Sequence, residues 1–155
     1  MADLSDLLVP GLGAVGLHAT SRKALFTQLG ALAGPALGLN ARAIADALAA
    51  REKTGSTGFG GGVAFPHARL PGLDRIAVFV VRLAQAIDFD SVDDRDVDVV
   101  VAMLSPVTAG AEHLKALARV ARRFRDRRFV EKLRGAGSPD AIYALMTADE
   151  ARDAA

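Results

Sequence analysis

The sequence predicts a domain of the α/β or interleaved α+β class with a sheet covered on both faces. Helical and strand-like segments alternate along the chain. Two of the strand segments, around VFVV and VVVAML, are apolar without interruption, the pattern of strands that face core on both sides. At 155 residues, 51% apolar and 24% charged, the chain is long enough to bury a core without staples and is read as one domain over 1–155.

The first helix is predicted in SRKALFTQLGALAG. Ser21 stands at the capping position, and Ala24, Leu25, Leu29 and Leu32 recur at three- and four-residue steps. Asn40 caps a second helix, ARAIADALAAREKTG, with Gly55 as its stop. Strands follow at VAFP before His67, at IAVFVVRLA (76–84) and at DVDVVVAMLSP (96–106), each rich in Val and bounded by Gly, Pro or Asp. A long helix, AEHLKALARVARRF, begins after Gly110, with Leu114, Leu117, Val120, Ala121 and Phe124 as its expected inward stripe. The last helix, in SPDAIYALM, has Ser138 as its cap and Pro139 at the first helical position.

Composition narrows the chemistry. A formal net charge of +1 exerts no global pull toward nucleic acid or anionic membrane, and the lack of cysteine removes disulfides, thiolate metal sites and thiol nucleophiles together. The opening MADLSDLLVPGLG carries acids where a signal peptide carries bases, and no run reaches the roughly 20 apolar residues of a membrane span, so a cytoplasmic protein without membrane insertion is expected. Gly11, Gly13 and Gly16 spell GxGxxG, yet Pro10 precedes them, no helix opens on them and no acid follows at ribose distance. The later glycines lack the Lys-Ser/Thr of a phosphate-binding loop, so no nucleotide cofactor is expected. DFDSVDDRDVD fails the EF-hand pattern, with Asp93 where Gly is required and Val99 where Glu is required, and reads as a solvated turn. With only His18, His67 and His113 available, and His18 in a separate early segment, no metal site is expected. The run RVARRFRDRRF raises nucleic-acid binding, but its arginines fit the outer face of an amphipathic helix with Asp126 and Glu131 as counter-charges.

Three residues carry a chemical signal. His67 follows Pro66, which stiffens the backbone, and a glycine-rich approach that lets other groups come close. An imidazole presented in this way is a candidate base, ligand or nucleophile. Arg51 continues the rhythm of Ile44, Ala47 and Leu48, so a guanidinium occupies a core-facing stripe and needs an anion or carboxylate. His113 lies in the first turns of its helix, where the dipole and free N–H groups favour anions. A helix-end salt bridge for Arg51 and a backbone-bonded boundary position for His113 are the plain structural alternatives.

The stretch REKTGSTGFGGGVAFPHARL resembles the signature of the phosphotransferase-system IIA domains of the fructose/mannitol class, most closely the nitrogen-regulatory type, and the similarity runs over essentially the whole chain. The resemblance implies a phosphotransferase/anion transporter-like fold with a mixed central sheet of about five strands. It implies a phosphotransferase component that receives phosphate on the residue matching His67. The donor would be a small HPr-like (NPr-type) phosphocarrier charged from phosphoenolpyruvate through enzyme I. His113 and Arg51 match the family's second histidine and phosphate-facing arginine. N–H groups of the glycine-rich loop are suited, with Arg51 and His113, to meeting the phosphate, Ser56 or Thr57 are weaker candidates, and Phe59, Val63 and Phe65 are candidates for a carrier-docking surface, with core packing expected for at least two of them. Gly61 stands where the family often has a polar residue, so a contact to phosphate or partner is expected to be missing. The implied role is regulatory, acting on proteins such as kinases or transporters; the alternatives are a sugar-transport IIA that passes phosphate to a separate IIB, and a non-enzymatic module using the arginine-rich helix on nucleic acid.

Overall fold

The computed structural model describes residues 4–148. Its elements run β1 (Leu8–Leu17), α1 (Arg22–Leu37), α2 (Ala41–Glu52), β2 (Gly58–Gly60), β3 (Val63–Ala64), β4 (His67–Leu70), β5 (Ala77–Ile87), β6 (Val97–Pro106), α3 (Ala111–Phe124), α4 (Arg127–Arg134) and α5 (Pro139–Thr147). The polar caps set the helix starts as the sequence indicates. Ser21, Asn40 and Ser138 accept hydrogen bonds from the N–H groups of Ala24, Ala43 and Ala141, each occupying a donor that the first helical turn leaves free.

The sheet is mixed, in the order β1-β5-β6-β3-β2, with β4 also pairing β6. β3 and β4 keep one register against β6, Val63 opposite Val99 and His67 opposite Met103, so they form a single line interrupted at Phe65-Pro66. Six strands therefore occupy the five positions expected. Proline has no N–H for the ladder, and the break falls immediately before His67.

β5 and β6 lie at the centre, and their apolar runs divide by the two-residue period of a strand. Val78, Val80, Val99, Val101 and Met103 join one core with α3, α4 and α5 through Val120, Phe124, Phe129, Leu133 and Met146. Phe79, Val81, Val100, Ala102 and Leu104 join the opposite core with α1 and α2 through Leu25, Leu29, Ile44 and Leu48. Helices cover both faces, as the continuous apolar runs require. Within the second layer α1 and α2 cross closely over Gly30 and Gly34, because any Cβ at Gly30 would collide with the Ala41 carbonyl oxygen.

Three elements differ from the sequence reading. GLGAVG, where no strand was predicted, lies inside strand β1, where Gly11 and Gly16 have positive φ and the register against β5 shifts twice. β2 is a three-residue strand paired with β3. The basic run after Phe124 turns at Asp126, whose carboxylate accepts the N–H groups of Arg128 and Phe129 and so starts α4. In α3 the inward residues are His113, Ala116, Val120, Arg123 and Phe124. Leu114, expected inside, is 65% exposed because His113 holds the inward position of that turn.

Candidate functional site

His67 is the first residue of β4, and its register partner on β6 is Met103, which faces the core under α3. That register sends the imidazole toward α3, where His113 lies in the first turn. The two rings approach to 5.9 Å between centroids at 52°. Arg51 arrives from the last turn of α2. It lines both clefts that contain His67, one of about 350 Å³ with Thr57, Phe59, Phe65, Ala121 and Arg125, the other of about 400 Å³ with Ala68, Arg69 and His113. The three residues singled out in the sequence are thus gathered from a strand and two helices around one opening.

Each is held in place. The His67 Nδ1 lies 2.8 Å from the Phe65 carbonyl oxygen, so Nδ1–H donates there and the lone pair rests on Nε2. Phe65 is fixed in turn: its N–H donates to the Thr57 carbonyl at 2.9 Å. Thr57 is clamped by the buried Glu52, which accepts its N–H at 2.8 Å and its hydroxyl at 2.7 Å. The His113 Nδ1 lies 2.8 Å from the hydroxyl of Ser105, which is fully buried at the end of β6. Arg51 donates to the Thr54 hydroxyl and the Gly55 carbonyl, both at 2.9 Å, an anchorage at its own helix end, and among the described residues no carboxylate pairs with it.

The electrostatics keep both rings uncharged near neutrality. Burial pushes the His67 pKa below its ordinary value, opposed by the Phe65 carbonyl and helped by the Arg51 charge. Burial also lowers His113, with Arg69 and His67 adding to the effect. Two neutral imidazoles beside a guanidinium make a site able to offer a nucleophilic nitrogen and to receive negative charge next to it.

The weaker candidates fare differently. Ser56 donates its hydroxyl to the Phe89 carbonyl at 2.6 Å, and Thr57 gives both its donors to Glu52, so neither has a proton free for an incoming anion. The loop N–H of Gly58 goes to Ser56 and that of Gly61 to Asp93. Gly61 has φ 68° and open space at its Cβ position, and its carbonyl accepts from Arg134, which is itself paired to Asp98. The glycine run is therefore a clasp around Arg134. Val63 and Phe65 are buried in the core, Phe65 also lining the cleft; Phe59, partly buried against the same core, lines the cleft as well. Arg69, Ser105 and Glu52 were not singled out in the sequence. Arg69 was detectable, since alternation along β4 puts residues 67 and 69 on one face.

The other motifs find structural roles. Asp88 and Asp93 accept backbone N–H groups in the acidic loop, and among the described residues no group of three or more His, Cys, Asp or Glu is placed to hold a metal. In the basic run, Arg119 forms a two-pronged pair with Asp6, and Arg123 stacks 3.9 Å over the Phe129 ring. No helix among the described residues is long and apolar enough to cross a membrane.

Residues 11–148 match the family model described as "Phosphoenolpyruvate-dependent sugar phosphotransferase system, EIIA 2". The chain belongs to this EIIA family. Within the family it is similar to nitrogen regulatory proteins. The EIIA chain is 43% identical over 143 residues to the nitrogen regulatory protein of Bradyrhizobium diazoefficiens, covering 92% of this chain and 94% of that protein. It superposes on the crystal structure of nitrogen regulatory protein IIA-Ntr from Neisseria meningitidis with a TM-score of 0.85 at 31% identity, covering 92% and 97% of the two chains. The mannitol IIA of Escherichia coli, in its complex with phosphorylated IIB, shares the fold at a TM-score of 0.74 and 17% identity, over 90% of this chain and 98% of that one.

Proposed function

We propose that this EIIA chain accepts a phosphoryl group on His67 Nε2 from a phosphohistidine of an HPr-like (NPr-type) carrier, and that its phosphorylation state is a regulatory signal. One observation carries the reading: a neutral imidazole in an open cleft, with Nδ1–H tied to the Phe65 carbonyl and its second nitrogen left to attack.

The step balances without a metal or an external base. Nε2 forms the new P–N bond while the donor's P–N bond breaks, and that electron pair returns to the donor ring, which is left neutral. His67 keeps its Nδ1 proton and becomes cationic as it attacks, so the carbonyl bond of Phe65 strengthens as the reaction proceeds. The loose transition state spreads charge over three equatorial oxygens. Arg51 supplies the fixed positive charge. His113 Nδ1 lies 2.8 Å from the Ser105 hydroxyl; in the proposed step that hydroxyl donates to Nδ1, so that the ring proton rests on Nε2 and serves as a second donor. The nitrogen-regulatory relatives favour a regulatory role over sugar transport.

Incubation with phosphoenolpyruvate, enzyme I and carrier is expected to place an acid-labile phosphate on the wild type and none on a folded His67→Ala variant. Label retained by His67→Ala refutes the assignment. Rapid discharge of the labelled protein by a IIB domain would move the reading to sugar transport.

A further inference from the structure

β4 carries a second basic group that the proposed step leaves unused. Strand alternation puts Arg69 on the same face as His67, two residues further along β4. Its register partner on β6 is Ser105, whose hydroxyl lies 2.8 Å from Nδ1 of His113. The pairing that aims the first histidine therefore also sets a guanidinium beside the second. Arg69 lines the cleft of about 400 Å³ together with Arg51, His67 and His113, and no carboxylate lines that cleft.

The two arginines differ in their commitments. Arg51 donates to the Thr54 hydroxyl and the Gly55 carbonyl. Arg69 is exposed and makes neither a hydrogen bond nor an ion pair among the described residues. Their charges also act on different rings. Burial is the main cause that lowers the His113 pKa, and the Arg69 charge is the next. At His67 burial again comes first, the Phe65 carbonyl opposes it, and the cation that acts is Arg51. Each imidazole thus has one guanidinium beside it.

A phosphoryl group on Nε2 of His67 presents three oxygens and about two negative charges. Arg51 and the His113 donor meet two of those oxygens, and the planar fork of an uncommitted arginine suits the third. We infer that Arg69 is a further catalytic residue, whose guanidinium turns onto the phosphoryl oxygens as the group reaches His67 and holds them in the phosphorylated protein. The inference rests on His67 as the acceptor and adds a residue to that step. Engaging the phosphoryl group breaks no contact within the protein, so the cost is the rotamer freedom of one exposed side chain. Exposure also limits the gain. A donor shielded from water is worth roughly 10²–10³ in rate, whereas a cation open to solvent is screened, so an effect of about tenfold is expected.

The test uses the whole protein and phosphoramidate, a small donor that needs no protein docking. Its P–N bond breaks as the bond from P to Nε2 forms, and the electron pair leaves with ammonia. At low salt Arg69→Gln should label about tenfold more slowly than wild type, the gap should narrow as salt rises, and Arg69→Lys should recover most of the rate. In the phosphorylated proteins, phosphorus NMR should place the last ionisation of the phosphoryl group at higher pH in Arg69→Gln than in wild type, because a neighbouring cation favours the dianion. An arginine that merely supports the strand would not move that titration. Equal labelling rates for wild type and Arg69→Gln overturn the inference. A slower Arg69→Gln whose phosphoryl titration is unmoved overturns it too, since the residue would then act through His113 or the strand. Failure of phosphoramidate to label wild-type His67 would remove the acceptor itself, and the inference with it.

Discussion

Replacing Glu52 with Ala tests the supports beneath the proposed phosphoryl acceptor. The Glu52 carboxylate is buried and accepts two bonds from Thr57, at 2.8 Å from N–H and 2.7 Å from the hydroxyl. Alanine leaves both donors without an acceptor in a buried loop. An unsatisfied buried donor costs about 1–3 kcal/mol, so the pair amounts to roughly 3 kcal/mol once the loop relaxes in part. The ion pair to Arg22 at 3.4 Å adds little, because Arg22 is substantially exposed. For a chain of this length about 3 kcal/mol corresponds to a melting point lower by roughly 6–12 °C. Glu52→Gln keeps one acceptor oxygen and should lose about half as much stability. Because Thr57 holds Phe65 and Phe65 holds Nδ1 of His67, the alanine variant should also label more slowly with phosphoramidate at a temperature where it remains folded. Urea unfolding gives the first quantity and labelling the second. A loss below about 1 kcal/mol would refute the view that these two bonds fix the loop.

Four further outcomes follow from the geometry. His67 is reactive when neutral, and its pKa is lowered, so phosphoramidate labelling should fall with a midpoint below 6.5 as pH drops; a midpoint above 6.5 contradicts the buried environment. Because His67 and His113 both titrate lower in the fold than in the unfolded chain, the unfolded state binds more protons in that window. Their contribution to stability is therefore present above about pH 6.5 and is lost as pH falls through the folded values, which urea titrations at pH 7.5 and 5.5 would show. Ser105→Ala removes the hydroxyl that fixes the His113 ring and should reduce carrier-driven transfer about tenfold, with labelling by phosphoramidate reduced in parallel; unchanged rates would make His113 a structural residue. Gly30→Ala drives a Cβ into the Ala41 carbonyl at the α1–α2 crossing and should destabilise by about 2 kcal/mol or more, read as a lowered melting point.

What the sequence made legible was whatever local chemistry decides. Ser21, Asn40 and Ser138 announce helices because an oxygen before a helical rhythm binds a specific N–H, and β5 and β6 announce themselves because both their faces are buried. β1 was hidden: Pro10 and three glycines argue for a loop, and only pairing with β5 makes the segment a strand. α4 was hidden by its charge, since four of its eight residues are basic, although Phe129, Val130 and Leu133 supply an inward face. In α3 Val120 and Phe124 are buried as expected, but the reading put Leu114 in the inward stripe of the first turn and His113 only beside it, whereas His113 holds that place. A polar residue took the buried place because Ser105 waits there to bind it, and that long-range bond has no local signature. Arg51 and His67 were legible for the opposite reason: a guanidinium in an apolar rhythm and an imidazole after a proline both break the local rule.

That contrast explains why the site stands where it does. His67 and Arg69 point toward α3, and Ala68 and Leu70 toward the opposite core, only because β4 pairs with β6 in the observed register. A slip of one residue would bury the imidazole under α2 and turn Ala68 toward the cleft. What resists the slip is the apolar alternation of β6, with Met103 committed to one core and Leu104 to the other. Ser105 follows on the same face as Met103, so the strand that fixes the direction of the first histidine also supplies the hydroxyl that orients the second. The geometry proposed for phosphoryl transfer is therefore set by the core packing of β6, and substitutions at Met103 or Leu104 should slow labelling of His67 by phosphoramidate.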